Sequence, residues 1–164
     1  MNQNLVDVNN VLVIGCGGAG LRAAIEAKLH GLQVAVLGKR SKKDSHTVLA
    51  AGGINAAFGN IDSKDNWKYH FVDTYLEGYE LGDPEMIETM ARESPDYVEE
   101  IDSWGANFEK LDNNKFDQRY FGAHKYRRTC YSGDYTGQSI LNALLQKSRS
   151  LEIPIHDSQY VAEL

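Results

Sequence analysis

The sequence predicts an α/β fold that opens with a strand–helix–strand unit. Three observations predict it: the apolar run VLVIG at 11–15, the change to helical spacing in GCGGAGLRAAIEAKLHG directly after it, and a second apolar run, LQVAVLG, at 32–38. Short continuous apolar runs bounded by glycine are the mark of parallel strands buried on both faces. A helix between two such strands supplies the crossover that parallel pairing needs.

Val11 to Gly15 reads as the first strand. In the helix that follows, Leu21, Ala24, Ile25 and Leu29 share one face, and Gly31 supplies the stop. Leu32 to Gly38 is the second strand. DNWKYHFVDTYLEGYEL then places Trp67, Phe71, Thr74 and Tyr75 at helical spacing, and GDPEMIETMARES opens a further helix with Asp83 as cap and Pro84 in its first turn. Pro95 is expected to divide that helix from DYVEEIDSWG, because a prolyl ring removes a helix hydrogen bond. The stretch 106–134 reads as irregular, TGQSILNALLQKSRS as a helix, and IPIHDSQYVAEL as a short strand or two. The aromatic and methionine stripes of these helices are expected in the core. A doubly wound sheet needs several strands with helices on both faces. Only two strong strands are found, so the chain reads as a tail over 1–10 followed, over 11–164, by the N-terminal part of a longer domain, cut off at VAEL.

An apolar fraction of 42% is ordinary for a globular domain. The net charge of -6 argues against a nucleic-acid surface. Acidic residues concentrate between Glu77 and Asp102, as on the solvated faces of helices, while bases gather at KRSKK and HKYRR. Cys16 and Cys130 lie far apart with no C-x-x-C, so neither a disulfide framework nor a metal site is expected, and a reducing compartment is. MNQNLVDVNN lacks the basic and apolar regions of a secretory signal, and no stretch reaches the length of a membrane span. Any membrane association is therefore expected through partner subunits.

Gly15-Cys16-Gly17-Gly18-Ala19-Gly20 fits G-x-G-x-x-G between a strand and a helix. The first glycine permits the tight turn, the second lets a pyrophosphate approach the backbone, and the third lets helix and strand pack closely. In its strand–helix–strand setting the motif predicts dinucleotide binding. An NAD site would carry an acidic residue at the end of the second strand for the adenosine ribose. Gly38 stands there instead, which argues against NAD. Lys39, just beyond, is either a phosphate contact or a solvated charge.

GCGGAGLRAAIEA, followed by SHTVLAAGGINAAFGN, resembles the FAD-binding opening of the succinate dehydrogenase and fumarate reductase flavoprotein subunits. The resemblance continues through WKYHFVDTYLEGYELGDPE, WGANFEKLDNNKFDQRYFG and RRTCYSGDYTGQSILNALL, in matching order and spacing. It implies a Rossmann-like FAD-binding domain with a glutathione-reductase-like βαβ start, incomplete here and lacking the capping domain. It also implies FAD bonded covalently to His46 through the 8α-methyl carbon of the flavin, a role open to a neutral, nucleophilic imidazole. Ser45 and Thr47 would donate hydrogen bonds to the flavin, Ala50 would make a close backbone contact, and Gly52 and Gly53 would let the backbone lie against a flat ring. Phe121 is either a neighbour of the bound dicarboxylate or an ordinary core phenylalanine. His30, His70, His124 and His156 have no such frame and read as structural. Three departures bear on the substrate side: Ala51 where the family has glutamine or glutamate, Gly38 where it has serine or threonine, and Ala123 where it has a second glycine.

The reaction so implied moves a hydride between a succinate or fumarate carbon and the flavin, and passes electrons to an iron–sulfur subunit that serves a membrane quinone. The implied location is cytoplasmic, at the cytoplasmic face of a membrane. The family's catalytic arginine and carboxylate-holding residues lie beyond these residues; Arg119, Arg127 and Arg128 do not match them, so no catalytic residue is assigned. Two other readings share part of the pattern: a noncovalent flavoenzyme like L-aspartate oxidase, which lacks the flavin-linked histidine, and a catalytically silent flavin-binding module. The 164 residues alone are expected to expose apolar surface and bind FAD weakly.

Overall fold

The computed structural model describes residues 10–163, so the tail expected at 1–10 lies outside the described residues except for Asn10. Asn10 already belongs to the fold, since its side chain accepts a hydrogen bond from Gln33 N at 3.0 Å. Strand β1 (Val11–Ile14), helix α1 (Gly18–Leu29) and strand β2 (Val34–Leu37) follow. β1 and β2 pair in parallel, Val11 opposite Val34 and Ile14 opposite Leu37. Helix α1 ends as its sequence predicts. Gly31, at φ 81, takes the left-handed turn, its N–H donates to Lys28 O at 2.9 Å, and Leu32 N donates to Ala27 O at 3.1 Å.

A short 3₁₀ turn, His46–Leu49, precedes strand β3 (Ile54–Asn55), helix α2 (Trp67–Glu77) and helix α3 (Pro84–Ile101). A π-helical turn, Asp102–Ala106, follows α3 directly, and strand β4 (Thr129–Cys130), helix α4 (Thr136–Ser150) and strand β5 (Ile155–His156) complete the described elements. β5 joins the parallel sheet beside β2, in the order β1-β2-β5. β3 and β4 make a separate antiparallel pair with Asn55 opposite Thr129, and Arg119 bridges Thr129 from the other side. The stretch expected to be irregular thus holds β4 and two bridges, Arg119–Thr129 and Lys110–Phe116. Pairing this short leaves no alternating pattern to read.

Two cores form. Leu21, Ala24 and Ile25 of α1 meet Val34 and Val36 of β2 and Leu141, Leu144 and Leu145 of α4. Phe108 and Phe116 gather with Ala56, Val98, Ile101 and Ala143. The exposed charges of α3 lie opposite its buried Ala91, Val98 and Ile101, as an acidic solvated face requires.

Three expectations are corrected. Pro95 does not divide α3, which runs unbroken from Pro84 to Ile101. The carbonyl that Pro95 leaves without a donor is that of Ala91, and the Ser94 hydroxyl takes it at 3.4 Å. Packing of Ala91, Val98 and Ile101 then holds both halves on one axis. Leu29 is exposed, because the last turn of α1 lies outside the core that covers Leu21 and Ile25. Met86 and Met90 are exposed rather than core; they line a cavity between α2 and α3. The outer face of β1 also stays open, with Leu12 and Ile14 about half exposed at 47% and 50%. A doubly wound sheet would bury that face.

Candidate functional site

At the carboxyl ends of β1 and β2 the structure opens a cleft of about 530 Å³. Its floor is the turn Gly15, Cys16 and Gly17; its walls are Lys39 and Arg40 on one side and Asp44, Ser45, His46, Val48 and Leu49 on the other. The end of parallel strands is where α/β sheets bind ligands, since the loops there diverge.

The glycine turn is built as the motif demands. Gly15 sits at φ 121, a conformation closed to side-chain-bearing residues, and its N–H donates to Leu37 O at 2.7 Å. A Cβ on Gly20 would overlap the Gly15 carbonyl oxygen, so the third glycine is required for helix and strand to touch. Gly17 caps α1 with extended backbone and no side-chain cap of its own, which leaves the first-turn N–H groups beyond Gly18 to face an anion. Thr47 Oγ1 accepts from Gly18 N at 2.9 Å and so ties the His46–Leu49 turn to the start of α1.

Of the residues expected to hold the cofactor, Gly15, Gly17, Lys39, Ser45 and His46 line this one cleft. Gly18 and Thr47 do not line it; they are hydrogen-bonded to each other, next in sequence to the lining residues Gly17 and His46. Ala19 is exposed on the first turn of α1, and Gly20 lies beneath it against Gly15. Ala50 does not line the cleft, and its carbonyl accepts from Gly137 N at 2.7 Å, at the N-terminus of α4. Gly52, Gly53 and Phe121 form a separate cluster. The Phe121 ring occupies the space where a Gly52 Cβ would stand, and a Cβ on Gly53 would overlap Thr129 Cγ2. Thus the glycine pair serves the protein's own packing in this structure.

The cleft suits a dinucleotide on its own chemistry. Ser45 Oγ is buried there with no hydrogen-bond partner, a polar atom that needs one. Lys39 and Arg40 bring positive charge to the rim, with Lys39 Nζ 5.2 Å from the Tyr160 ring. His46 is exposed to the cleft and accessible to reaction.

Sequence reasoning missed several supports. Gly38 is required by Cys16: a Cβ there would overlap the Cys16 thiol, which also lies 3.9 Å from Arg40 O. The cysteine in the glycine loop and the glycine after β2 therefore form one packed pair, which accounts for both residues together. We expect Gly38→Ser to lower stability by about 1–3 kcal/mol through overpacking. Cys16→Gly in the same protein should return most of that loss, as read by thermal melting of single and double variants. Gly137 is a second support, since a Cβ would overlap Thr47 O. A glycine in the first turn of an otherwise strong helix was the available signal. Arg119 is a third: Nη2 donates to Gly52 O at 3.0 Å and to Ala51 O at 3.2 Å.

Both cysteines are free and buried, and burial pushes the Cys130 thiol up to about 12. Among the described residues no group of histidine, cysteine and carboxylate side chains is placed to hold a metal ion.

A larger cavity of about 740 Å³ lies between α2, α3 and β3. Gly53, Asn55, His70, Glu77, Met86 and His124 are among the residues lining it. His70 is buried with Nδ1 unpaired, and burial, with the Arg128 charge, holds its pKa down to about 4. A base whose folded pKa is lowered is bound neutral; the unfolded chain takes the proton first as pH falls. Stability is therefore complete above about pH 6.5 and drains away toward pH 4, by about 3 kcal/mol for this group. His70→Leu should flatten the stability profile across that window in pH-dependent urea unfolding; an unchanged slope would show that His70 does not titrate on unfolding.

Residues 10–164 match the family described as FAD binding domain. The chain is 39% identical over 156 residues to a fumarate reductase (CoM/CoB) subunit of Methanothermobacter marburgensis, covering 94% of this chain and 28% of that one. It is 37% identical over 163 residues to the succinate dehydrogenase flavoprotein subunit of Rickettsia bellii, with 94% and 27% covered. In three dimensions it superposes on a chain of the Mycobacterium smegmatis Sdh1 complex with a TM-score of 0.89 at 41% identity, covering 96% of this chain and 29% of that chain. The chain thus spans somewhat over a quarter of the length of these relatives.

Proposed function

Since the chain belongs to the FAD binding domain family, we propose that it is the FAD-holding part of a succinate dehydrogenase or fumarate reductase flavoprotein, with the cofactor bonded to His46. The observation that carries this reading is the single cleft that joins the glycine turn, the unpaired Ser45 hydroxyl and the exposed His46. Its relatives carry those two enzyme names at comparable identity.

In this reading the βαβ opening is Rossmann-like. Gly15 and Gly17 admit the pyrophosphate to the backbone, and the open N-terminus of α1 offsets its charge. Lys39 and Arg40 add charge at the rim, and Ser45 gains the partner it lacks. Thr47, fixed on Gly18, holds His46 at a constant distance from the phosphate turn. Flavin, when bound, would supply a centre that exchanges a hydride with a substrate carbon. Phe121 borders the succinate or fumarate on the Gly52 side, and the groups that bind its carboxylates and move its proton lie outside these residues. An iron–sulfur subunit receives the electrons. Among the described residues no helix is long and apolar enough to cross a membrane, and attachment at the cytoplasmic face runs through partner subunits.

The test is made on the flavoprotein purified at the length the cell produces. After acid precipitation and washing, the digested peptide containing DSHTVLAAGG should retain the mass of FAD on His46. His46→Ser should release all flavin into the acid supernatant while the folded protein still binds it. Unmodified His46 with free FAD in wild type would point instead to a noncovalent oxidase of the L-aspartate oxidase kind. Tightly bound flavin that succinate cannot reduce would indicate a silent module.

A further inference from the structure

Phe121 is 55% exposed, yet it stands on a loop tied down at both ends. At the near end, Arg119 exchanges backbone hydrogen bonds with Thr129, 3.1 and 3.2 Å, while its guanidinium grips the carbonyls of Ala51 and Gly52. That guanidinium lies 4.2 Å over the Tyr131 ring, whose hydroxyl donates to Asp117 at 2.6 Å. At the far end, the Asn55 amide nitrogen lies 2.8 Å from His124 Nε2, and the Thr129 hydroxyl donates to the other atom of that amide at 2.6 Å. Asn55 belongs to β3, two residues after the glycine pair. The loop is thus fastened to the same short strand segment that its phenylalanine covers.

An exposed aromatic ring gains little from burial, so such fastening does not serve the core. It removes freedom from a side chain that faces outward, which is the arrangement of a preorganised contact. We propose that His124 is a positioning residue: through Asn55 it latches the 120–124 loop to β3 and holds Phe121 over Gly52 for the dicarboxylate. This inference rests on the proposed flavoprotein function and extends it to a residue that makes no contact with the reacting atoms.

The chemistry of the latch requires a neutral imidazole. With the Thr129 hydroxyl on the amide oxygen, Asn55 presents N–H to Nε2, which accepts only while it keeps its lone pair; the ring proton then sits on Nδ1, and the 3.5 Å approach of Arg128 Nη1 to Nδ1 is a contact between two donors rather than a hydrogen bond. The surroundings favour that state. His124 is partly buried, and burial together with the Arg128 guanidinium lowers its pKa, while Asp73 and Glu77 of α2 oppose the shift less strongly. His70, the remaining titratable neighbour, lies with its ring 6.3 Å away and is held neutral.

The full-length flavoprotein tests this with two independent readings. In the first, chymotrypsin reports loop freedom, because Tyr120 and Phe121 are exposed and cleavable once the loop lifts. His124→Leu should raise the rate of cleavage at these residues at least tenfold, and His124→Gln, whose amide can accept from Asn55, should restore it. In the second, His124→Leu should raise KM for succinate or fumarate about tenfold with FAD content unchanged, the loss falling on KM rather than kcat. Phe121→Ala should do the same, and the double variant should lose no more than Phe121→Ala alone. Unchanged cleavage in His124→Leu, or additive losses in the double variant, would overturn the latch. A freed loop in His124→Leu, in a protein whose wild type shows no succinate-dependent flavin reduction, would support the latch and overturn the functional reading.

Discussion

Replacing Gly20 by alanine should cost the protein its cofactor as well as stability. A Cβ at that position overlaps the carbonyl oxygen of Gly15, a backbone atom that cannot rotate aside. The helix must move off the strand, which opens the contact between Leu21, Ile25 and Val36. The stability loss belongs at or above the upper end of the about 1–3 kcal/mol range for overpacking. The same movement carries the N-terminus of α1 away from the phosphate position proposed above, so bound flavin should fall to a small fraction of wild type. Gly15→Ala supplies the contrast. There is space around that residue, with no atom within 4 Å of the added carbon, and the damage comes from a φ of 121. Flavin content and thermal melting of the two variants separate the causes. Near-normal melting and flavin in Gly20→Ala would mean that α1 and β1 do not meet as closely as described.

Arg128→Met should be the most destabilising single change to a charged residue. The Arg128 guanidinium is fully buried and donates to both oxygens of Asp65, at 2.8 and 3.3 Å, while lying 2.8 Å from Asp73. Removing one member of a buried ion pair strands the other, at a cost of about 3–5 kcal/mol. Burial already raises the Asp65 pKa against the pull of Arg128, so without the arginine the carboxyl takes a proton more readily still. The folded pKa then stands above the unfolded value. The stability of the variant is therefore best preserved below the unfolded carboxylate pKa and is lost as pH rises through the folded one. Denaturant unfolding should show a larger gap between variant and wild type at pH 8 than at pH 5. A gap that is constant with pH would show that the stranded carboxylates stay ionised.

Arg127, one residue earlier, provides the control. It pairs with Asp62 at 2.7 Å in a partly exposed position, and its guanidinium holds the Asp62 carboxyl down to about 2. Pairs of that kind contribute little, and Arg127→Gln should melt near wild type.

The two arginines also show where sequence reading stops. RR at 127–128 offers no local signal that one side chain points into the core and the other along the surface. In a strand, neighbouring residues face opposite ways, but β4 is only two residues long and Arg128 lies just before it. What decides the matter is the placement of Asp65 and Asp73, more than fifty positions earlier. Pro95 is a similar case. The local rule that proline ends a helix is sound, and it is overridden by a neighbouring hydroxyl and by packing on either side.

The glycine turn, α1 and β2 were legible because their physics is local. Apolar runs of strand length, helical spacing and a left-handed stop at Gly31 each act within a few residues. The role proposed for His46 rests on the order and spacing of motifs rather than on any property of its own. By itself, then, the sequence determined the opening βαβ unit, the glycine turn and the limits of α1, since those depend on backbone dihedrals and periodicity. Tertiary structure alone decided that Ser45 and His46 share a cleft with Gly15, that Cys16 requires Gly38, and that Phe121 rests on Gly52. Those relations are made by contacts between residues distant along the chain, whose energies arise only when the elements that carry them have packed.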